Sequence, residues 1–259
     1  NYESDLKFHL QGNGKVISLS GPSKAGKSML LRNVVDELNH HLVTVHGSNI
    51  QSVSDIWDSV LDELDEPTEH EVIETSEEGT TKEGNIGANV PIVDASAGGS
   101  KRNAESTQEA NRYSRKGLKQ VVDLVDLNKF ILFIDDAHYI NKQFHEQIAE
   151  GLKNAFEKGM SICVAFIPHR SDDLTRANPD LSGRIESISF GYWENRDLKM
   201  IGEKGFRFLN RYPNEVLVKN LARESVGSPH LMQQLCLEMC NELNIHEKAE
   251  QMKPISVNN

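Results

Sequence analysis

Gly21-Pro22-Ser23-Lys24-Ala25-Gly26-Lys27-Ser28 is the stretch on which the reading of this chain turns. It satisfies the pattern G-x-x-x-x-G-K-[ST] at every position. A short apolar β run, Lys15-Val16-Ile17-Ser18-Leu19-Ser20, leads into it. An amphipathic helical pattern leaves it through Met29, Leu30 and Leu31 to Val34, Val35 and Leu38. Strand, glycine-containing loop and helix is the context in which such a loop cradles phosphate. The residue types follow from that task. Gly21 and Gly26 permit the backbone angles and the close approach that turn N–H groups inward around anionic oxygens. The helix beyond directs its partial positive N-terminus at the same anion. Lys27 is expected to reach the β- and γ-phosphates and the Ser28 hydroxyl to ligate Mg²⁺. Pro22, Ser23, Lys24, Ala25 and Met29 complete the expected binding loop. An ordinary strand–turn–helix with chance glycines is the alternative.

A phosphate loop of this kind needs a second strand that delivers a carboxylate to the metal. Phe130-Ile131-Leu132-Phe133-Ile134, the most apolar β run of the chain, stops at Asp135-Asp136. Asp135 is the expected Mg²⁺ ligand, through water, and Asp136 the general base that polarises an attacking water. Read otherwise, the two aspartates are a solvated strand end or a cap for the following helix.

Further along, β runs alternate with helical patterns. Leu42–His46 precedes a helix carrying Val53, Ile56, Trp57, Val60, Leu61 and Leu64, with Ser52 or Ser54 as N-cap. A helix near 117–127 precedes the acidic strand, and an amphipathic helix over 142–158 follows it. Strands at 161–167 and 185–190 complete the set, and everything after Trp193 reads helical. Alternation without hairpin turns predicts an α/β fold: a parallel sheet with helices on both faces, followed by a small all-helical lid domain. The expected boundaries are 1–192 for the α/β core and 193–259 for the lid. Residues 65–113 break the pattern, acid-rich at first and then rich in Gly, Ser and Asn, and read as an insertion or flexible projection. Within it, Asn85–Val93 is a candidate short strand or hairpin.

Composition narrows the functional classes. In 259 residues there are 28 basic and 39 acidic side chains, a net charge of −11. Residues 62–78 hold nine Asp or Glu and no Lys or Arg, so the rest of the chain sums to only −2. This balance disfavours a nucleic-acid coat or a polybasic membrane binder. Three cysteines, Cys163, Cys236 and Cys240, make no disulfide framework and read as reduced core residues. No apolar run approaches 18 residues, so no membrane span is expected. The start, Asn-Tyr-Glu-Ser-Asp, has no signal-peptide character and no initiator Met. An excised piece of a longer cytoplasmic protein is the expectation.

Over roughly 12–64 and 114–243, the phosphate loop and the strand ending in Asp135-Asp136 resemble an additional-strand P-loop ATPase of the AAA+ class. The resemblance lies near the signal-transduction NTPases called STAND. It implies ATP and Mg²⁺ as cofactors, hydrolysis of the β–γ phosphoanhydride, and a base preference for adenine. Most efficient members place Glu where Asp136 stands, so slow turnover or a binding switch is part of the expectation. Arg170, ending Ile167-Pro168-His169-Arg170, matches the residue that senses the γ-phosphate. Arg184, in Asp180-Leu181-Ser182-Gly183-Arg184-Ile185, matches the site of the arginine finger, with Arg176 as runner-up. Gly227-Ser228-Pro229 resembles the STAND element through which the lid touches nucleotide. His230 stands near the second sensor arginine of the class but, unlike arginine, is not permanently charged. The upstream motif that grips adenine in STAND and initiator proteins is not visible.

The resemblance further implies a switch module, by analogy with bacterial signalling or antiphage-defence proteins. Nucleotide state would be coupled to homo-oligomerisation through the ATP/ADP site and to an effector domain or partner outside this piece. Two alternatives stand beside it: a DNA-associated ATPase of the replication-initiator or transposition-helper type, and a non-hydrolysing nucleotide-binding scaffold. The nine acids opening the insertion argue against DNA contact there, while Lys101, Arg102, Arg112, Arg115 and Lys116 lie near its far end.

Overall fold

The computed structural model describes residues 2–12, 14–67, 69–73, 110–168 and 184–255, with backbone alone at 69–73 and 110–113. Strands β1 (Val16–Ser20), β2 (His41–His46), β5 (Phe130–Asp135), β6 (Ser161–Phe166) and β7 (Ile185–Ser189) form one five-stranded sheet in the order β2-β5-β6-β1-β7. Every neighbouring pair in it is parallel. The register sets His46 opposite Asp135 and Ser20 opposite Phe166, so β1 and β5 deliver their C-terminal ends to the same edge of the sheet.

The unbroken apolar run of β5 is explained by burial on both faces. Phe130, Leu132 and Ile134 join Val43, Val45, Ile162 and Val164 under helices α3 (Val53–Glu63), α4 (Leu118–Leu124) and α5 (His145–Glu157). Ile131 and Phe133 face the other way, with Ile17, Leu19, Cys163 and Ala165, under α1 (Tyr2–Leu10) and α2 (Lys27–Glu37). Such a sheet leaves no room for polar alternation. Ser52 is the N-cap of α3. Its hydroxyl accepts from the Asp55 N–H at 3.4 Å, and the Asp55 carboxylate accepts from the Ser52 N–H at 2.8 Å.

Helix α1 has no counterpart in the sequence reading. It buries only Leu6 and Leu10, and Lys7 pairs with Glu3 one turn earlier at 2.8 Å and ties the helix to Glu37 on α2. The expected helix over 142–158 is a 3-10 turn, Lys142–Phe144, running into α5.

After Trp193 come α6 (Asn195–Phe208), α7 (Glu215–Glu224) and α8 (Pro229–Glu242), packed around Leu198, Phe206, Val218, Ala222 and Met232. The expectation of an all-helical tail is corrected here. Beyond α8 the chain folds back, and β9 (Lys253–Pro254) pairs in parallel with β8 (Arg211–Tyr212). The Ile255 N–H donates to the Tyr212 carbonyl at 2.7 Å, and Ile255 itself is buried in the helical cluster. Two-residue strands leave no periodic trace, which is why the sequence pattern missed them.

Two compact units are present: 1–66 with 117–259, and 67–116. The first contains both the sheet and the C-terminal helices. The second is built on an antiparallel pair, β3 (Glu69–Ile73) and β4 (Ala110–Ser114), running from Glu69 opposite Ser114 to Ile73 opposite Ala110. The candidate strand at 85–93 lies outside the described residues. No described helix is long and apolar enough to cross a membrane.

Candidate functional site

The loop between β1 and α2 follows the chain as the motif demands. Gly21 leaves the sheet with its N–H donated to the Phe166 carbonyl at 3.3 Å. A Cβ at Gly21 would sit 2.6 Å from the Phe190 Cβ and 2.8 Å from its carbonyl oxygen, so this position is glycine for lack of space. Gly26 is glycine for a different reason. Its surroundings are open, but φ is +95° at the N-cap of α2, a conformation other residues resist. Lys24 takes the left-handed conformation as well, with φ +61°. Alternating handedness of this kind is how successive N–H groups converge on an anion. Ser23 and Lys24 are exposed, Ala25 is buried, and Met29 lies 64 % exposed on the rim.

Lys27 turns back beneath the loop and is 8 % exposed. Its Nζ donates to the carbonyls of Gly21 and Pro22, each at 2.9 Å. Burial pushes the Lys27 pKa down, and the carboxylates of Asp135 and Asp136 push it back up. A desolvated ammonium resting on two carbonyls is a group that an incoming anion would stabilise. One residue on, the Ser28 hydroxyl donates to the Asp135 carboxylate at 2.8 Å across 107 positions of sequence. The other oxygen of Asp135 accepts from the Asp136 N–H at 2.9 Å. A hydroxyl and a carboxylate side by side are the hard oxygen donors that suit Mg²⁺, which usually takes one or two protein ligands and completes its shell with water and phosphate. Among the described residues there is no cluster of three or more His, Cys, Asp or Glu to hold a metal by protein ligands alone.

Asp136 is half-exposed and sits in the left-handed region, φ +52° and ψ +41°, where it opens a 3-10 turn, Ala137–Tyr139. The His138 Nδ1 lies 3.8 Å from its carboxylate. Gly47, at the end of β2, packs against this turn so closely that a Cβ would be 2.5 Å from the Asp136 carbonyl oxygen.

A cavity of about 730 Å³ opens over these groups, lined by Ser23, Lys24, Gly26, Lys27, Ser28, Met29, Asp135 and Asp136 from the α/β part. Pro229, His230 and Gln233 line it from α8. Ser228 caps that helix by accepting from the Leu231 N–H, and Pro229 occupies its first turn. The structure thus brings together the loop residues, both aspartates and Pro229.

Arg184 is not on the cavity wall. Its guanidinium lies 4.0 Å from the Glu157 carboxylate and 5.4 Å over the Phe156 ring, half-exposed. Arg170 and Arg176 lie outside the described residues.

A second cavity, about 780 Å³, adjoins the first and shares Gly26, Leu30, Trp193 and Ile201 with it. Tyr2, Phe190 and Tyr192 furnish its aromatic wall, with Tyr2 stacked on Phe190 at 4.7 Å. Sequence reasoning missed it. Its residues come from helix α1, the phosphate loop and α2, the stretch after β7 and helix α6, and no local pattern links them.

The model of the family described as "AAA domain" matches residues 10–172. No curated protein is similar in sequence. Among solved structures, the RuvB Holliday junction branch migration motor of Thermotoga maritima aligns over 97 % of this chain at 14 % identity, with a TM-score of 0.57. A lysine-to-arginine mutant of that protein aligns over 98 % at 15 % identity, again with a TM-score of 0.57. This chain spans 64 % of the length of the motor. At such identities the likeness is one of fold. Together with the family match, the phosphate loop and the five-stranded parallel sheet, it leads to one conclusion: the chain belongs to the AAA domain family, as a nucleotide-binding P-loop domain.

Proposed function

We propose that the chain is a Mg²⁺-dependent ATPase that works as a conformational switch. The observation that carries this reading is the convergence of Lys27, Ser28 and Asp135 at one cavity, with the Ser28–Asp135 hydrogen bond joining the loop to the acidic strand. The triphosphate occupies the 730 Å³ cavity, and the base extends into the aromatic one. Lys27 exchanges its two carbonyl partners for the β- and γ-phosphate oxygens. Ser28 and Asp135 would hold Mg²⁺. The ion, when bound, neutralises charge developing on the transferred phosphoryl group. Asp136 accepts a proton from the attacking water as its oxygen bonds to the γ-phosphorus. The bond to the bridging oxygen breaks, leaving ADP and phosphate.

The switch resides in the C-terminal helices, acting as a lid over 193–259. Gly227, Ser228 and Pro229 bring α8 to the cavity wall, so loss of the γ-phosphate is felt there. In this reading Arg170 senses the γ-phosphate and Arg184 serves as a finger in the site of a neighbouring copy, coupling turnover to assembly. The role is that of a STAND-type signalling module with its effector elsewhere. A second reading, compatible with the fold likeness to a branch migration motor, is a DNA-associated ATPase, which predicts DNA affinity that falls by several phosphates' worth of salt dependence.

Calorimetric titration tests the core of the proposal. The protein binds ATP and ADP, and Lys27→Ala weakens both by about 30-fold or more, the equivalent of about 2–5 kcal/mol. Near-normal affinity in Lys27→Ala refutes it. ATPase activity per subunit that stays flat with protein concentration, with no oligomer on sizing, refutes the finger in trans.

A further inference from the structure

Trp193 stands where the α/β part meets the C-terminal helices and makes a bond that the nucleotide reading does not use. Its indole N–H donates to the Ala25 carbonyl, inside the phosphate loop, at 3.2 Å. Its backbone N–H donates to the Gly227 carbonyl at 3.0 Å, two residues before Pro229. The side chain forms part of both cavity walls and is 39 % exposed, so it is not buried for packing alone.

The Ala25 carbonyl belongs to the same planar unit as the Gly26 N–H. In a trans peptide these two groups point in opposite directions, so fixing one fixes the other. The Gly26 side leaves room around this plane: a Cβ there would touch nothing within 4 Å, and φ is +95°. Glycine is the residue at which a peptide plane most readily turns over. A flip would swing the Gly26 N–H out of the loop and put a carbonyl in its place.

We infer that Trp193 is a positioning residue: its indole locks the Ala25–Gly26 peptide so that the Gly26 N–H is presented to phosphate, and it does so from the root of the C-terminal helices. The inference rests on the phosphate-binding reading above. The bond to Gly227 makes the lock respond to α8, because a shift of the Ser225–Pro229 turn carries Trp193 with it. Gly227 also takes φ +78° and lies so near Tyr192 that a Cβ would approach its Cβ to 2.7 Å, so turn and lock move as one piece.

The test uses pyrophosphate and ADP as probes on the full chain, with Trp193→Phe, which keeps a ring and deletes the donor, and Trp193→Leu as a second variant. Unfolding midpoints without ligand report whether each keeps the fold. The lock predicts that both variants lose about threefold to tenfold in affinity for pyrophosphate, and that Trp193→Phe loses the same factor for ADP, the worth of one hydrogen bond. Equal affinity of wild type and Trp193→Phe for pyrophosphate overturns the inference. So does a loss confined to ADP, which would make Trp193 a wall of the base cavity and nothing more. Those results leave the parent reading standing as long as Lys27→Ala abolishes pyrophosphate binding. Failure of the wild type to bind either probe removes both.

Discussion

Replacing Gly47 by alanine perturbs the turn that carries Asp136 without touching the phosphate loop. Gly47 follows His46, which lies opposite Asp135 in the sheet register. Its added methyl would lie 2.5 Å from the Asp136 carbonyl oxygen and 2.9 Å from the Ala137 Cα. Both are backbone atoms, so no flexible side chain can swing away. Ordinary contact begins near ~3.4 Å, and the turn must therefore retreat by about 0.9 Å. Asp136 is the residue that absorbs this, and it already occupies left-handed backbone space, which costs about 1–2 kcal/mol for a non-glycine. A displacement of about 1 Å in a reacting group costs on the order of 100-fold in rate. Gly47→Ala is therefore expected to lower kcat by about 10- to 100-fold and stability by about 1–3 kcal/mol. ATP affinity stays within about threefold, because Lys27 and Ser28 belong to another segment. Steady-state ATPase assays paired with ADP titration separate the two effects. A kcat within about threefold of wild type, or equal losses in kcat and affinity, would refute the claim that Gly47 sets the position of Asp136.

Ser28→Ala removes the hydroxyl that donates to Asp135 at 2.8 Å. ATP affinity in Mg²⁺ should fall by about tenfold while affinity in EDTA stays unchanged, and parallel losses in both would count against Ser28 as a metal ligand. Among the thiols, burial, followed by the neighbouring Cys240, raises the Cys236 pKa to about 11, and complete burial pushes Cys163 far above its ordinary value. At pH 8 Cys236 should alkylate about 100-fold more slowly than in the denatured chain, and Cys163 only after unfolding, as followed by mass spectrometry. Fast labelling of Cys163 in the folded protein would mean that the sheet is not closed around it.

What could be read from the residues was what is local and periodic. The loop from Gly21 to Ser28 announces itself because each position does a separate physical job in a strand–loop–helix context. The β runs at 16–20, 130–134 and 161–166 show because both faces of the sheet are covered and every residue in them is apolar or small. What escaped is assembled from distant pieces. Helix α1 offers only Leu6 and Leu10 to the core and leaves Phe8 exposed, so its amphipathicity is faint. The β8–β9 pair joins residues about forty apart through two hydrogen-bonded rungs. The aromatic cavity draws on Tyr2, Phe190 and Trp193, and the Trp193–Ala25 bond spans 168 positions. Gly47 reads as a turn glycine until the backbone of Asp136 is seen against it. Pro229 was legible only through family resemblance, since a proline opening a helix has an ordinary capping explanation.

The points at which the smaller unit leaves and rejoins the larger one are tied together: the Gln120 side chain on α4 donates to the Glu66 carboxylate at 3.2 Å, and Gly117 lies against the Trp57 ring of α3. Two chain ends stitched side by side form a socket. Because doubling a loop costs only about 0.6 kcal/mol once its ends are fixed, such a socket tolerates grafts of very different size. Evolution can exchange what is plugged in there, and an engineer can do the same, leaving the rest of the scaffold as it was.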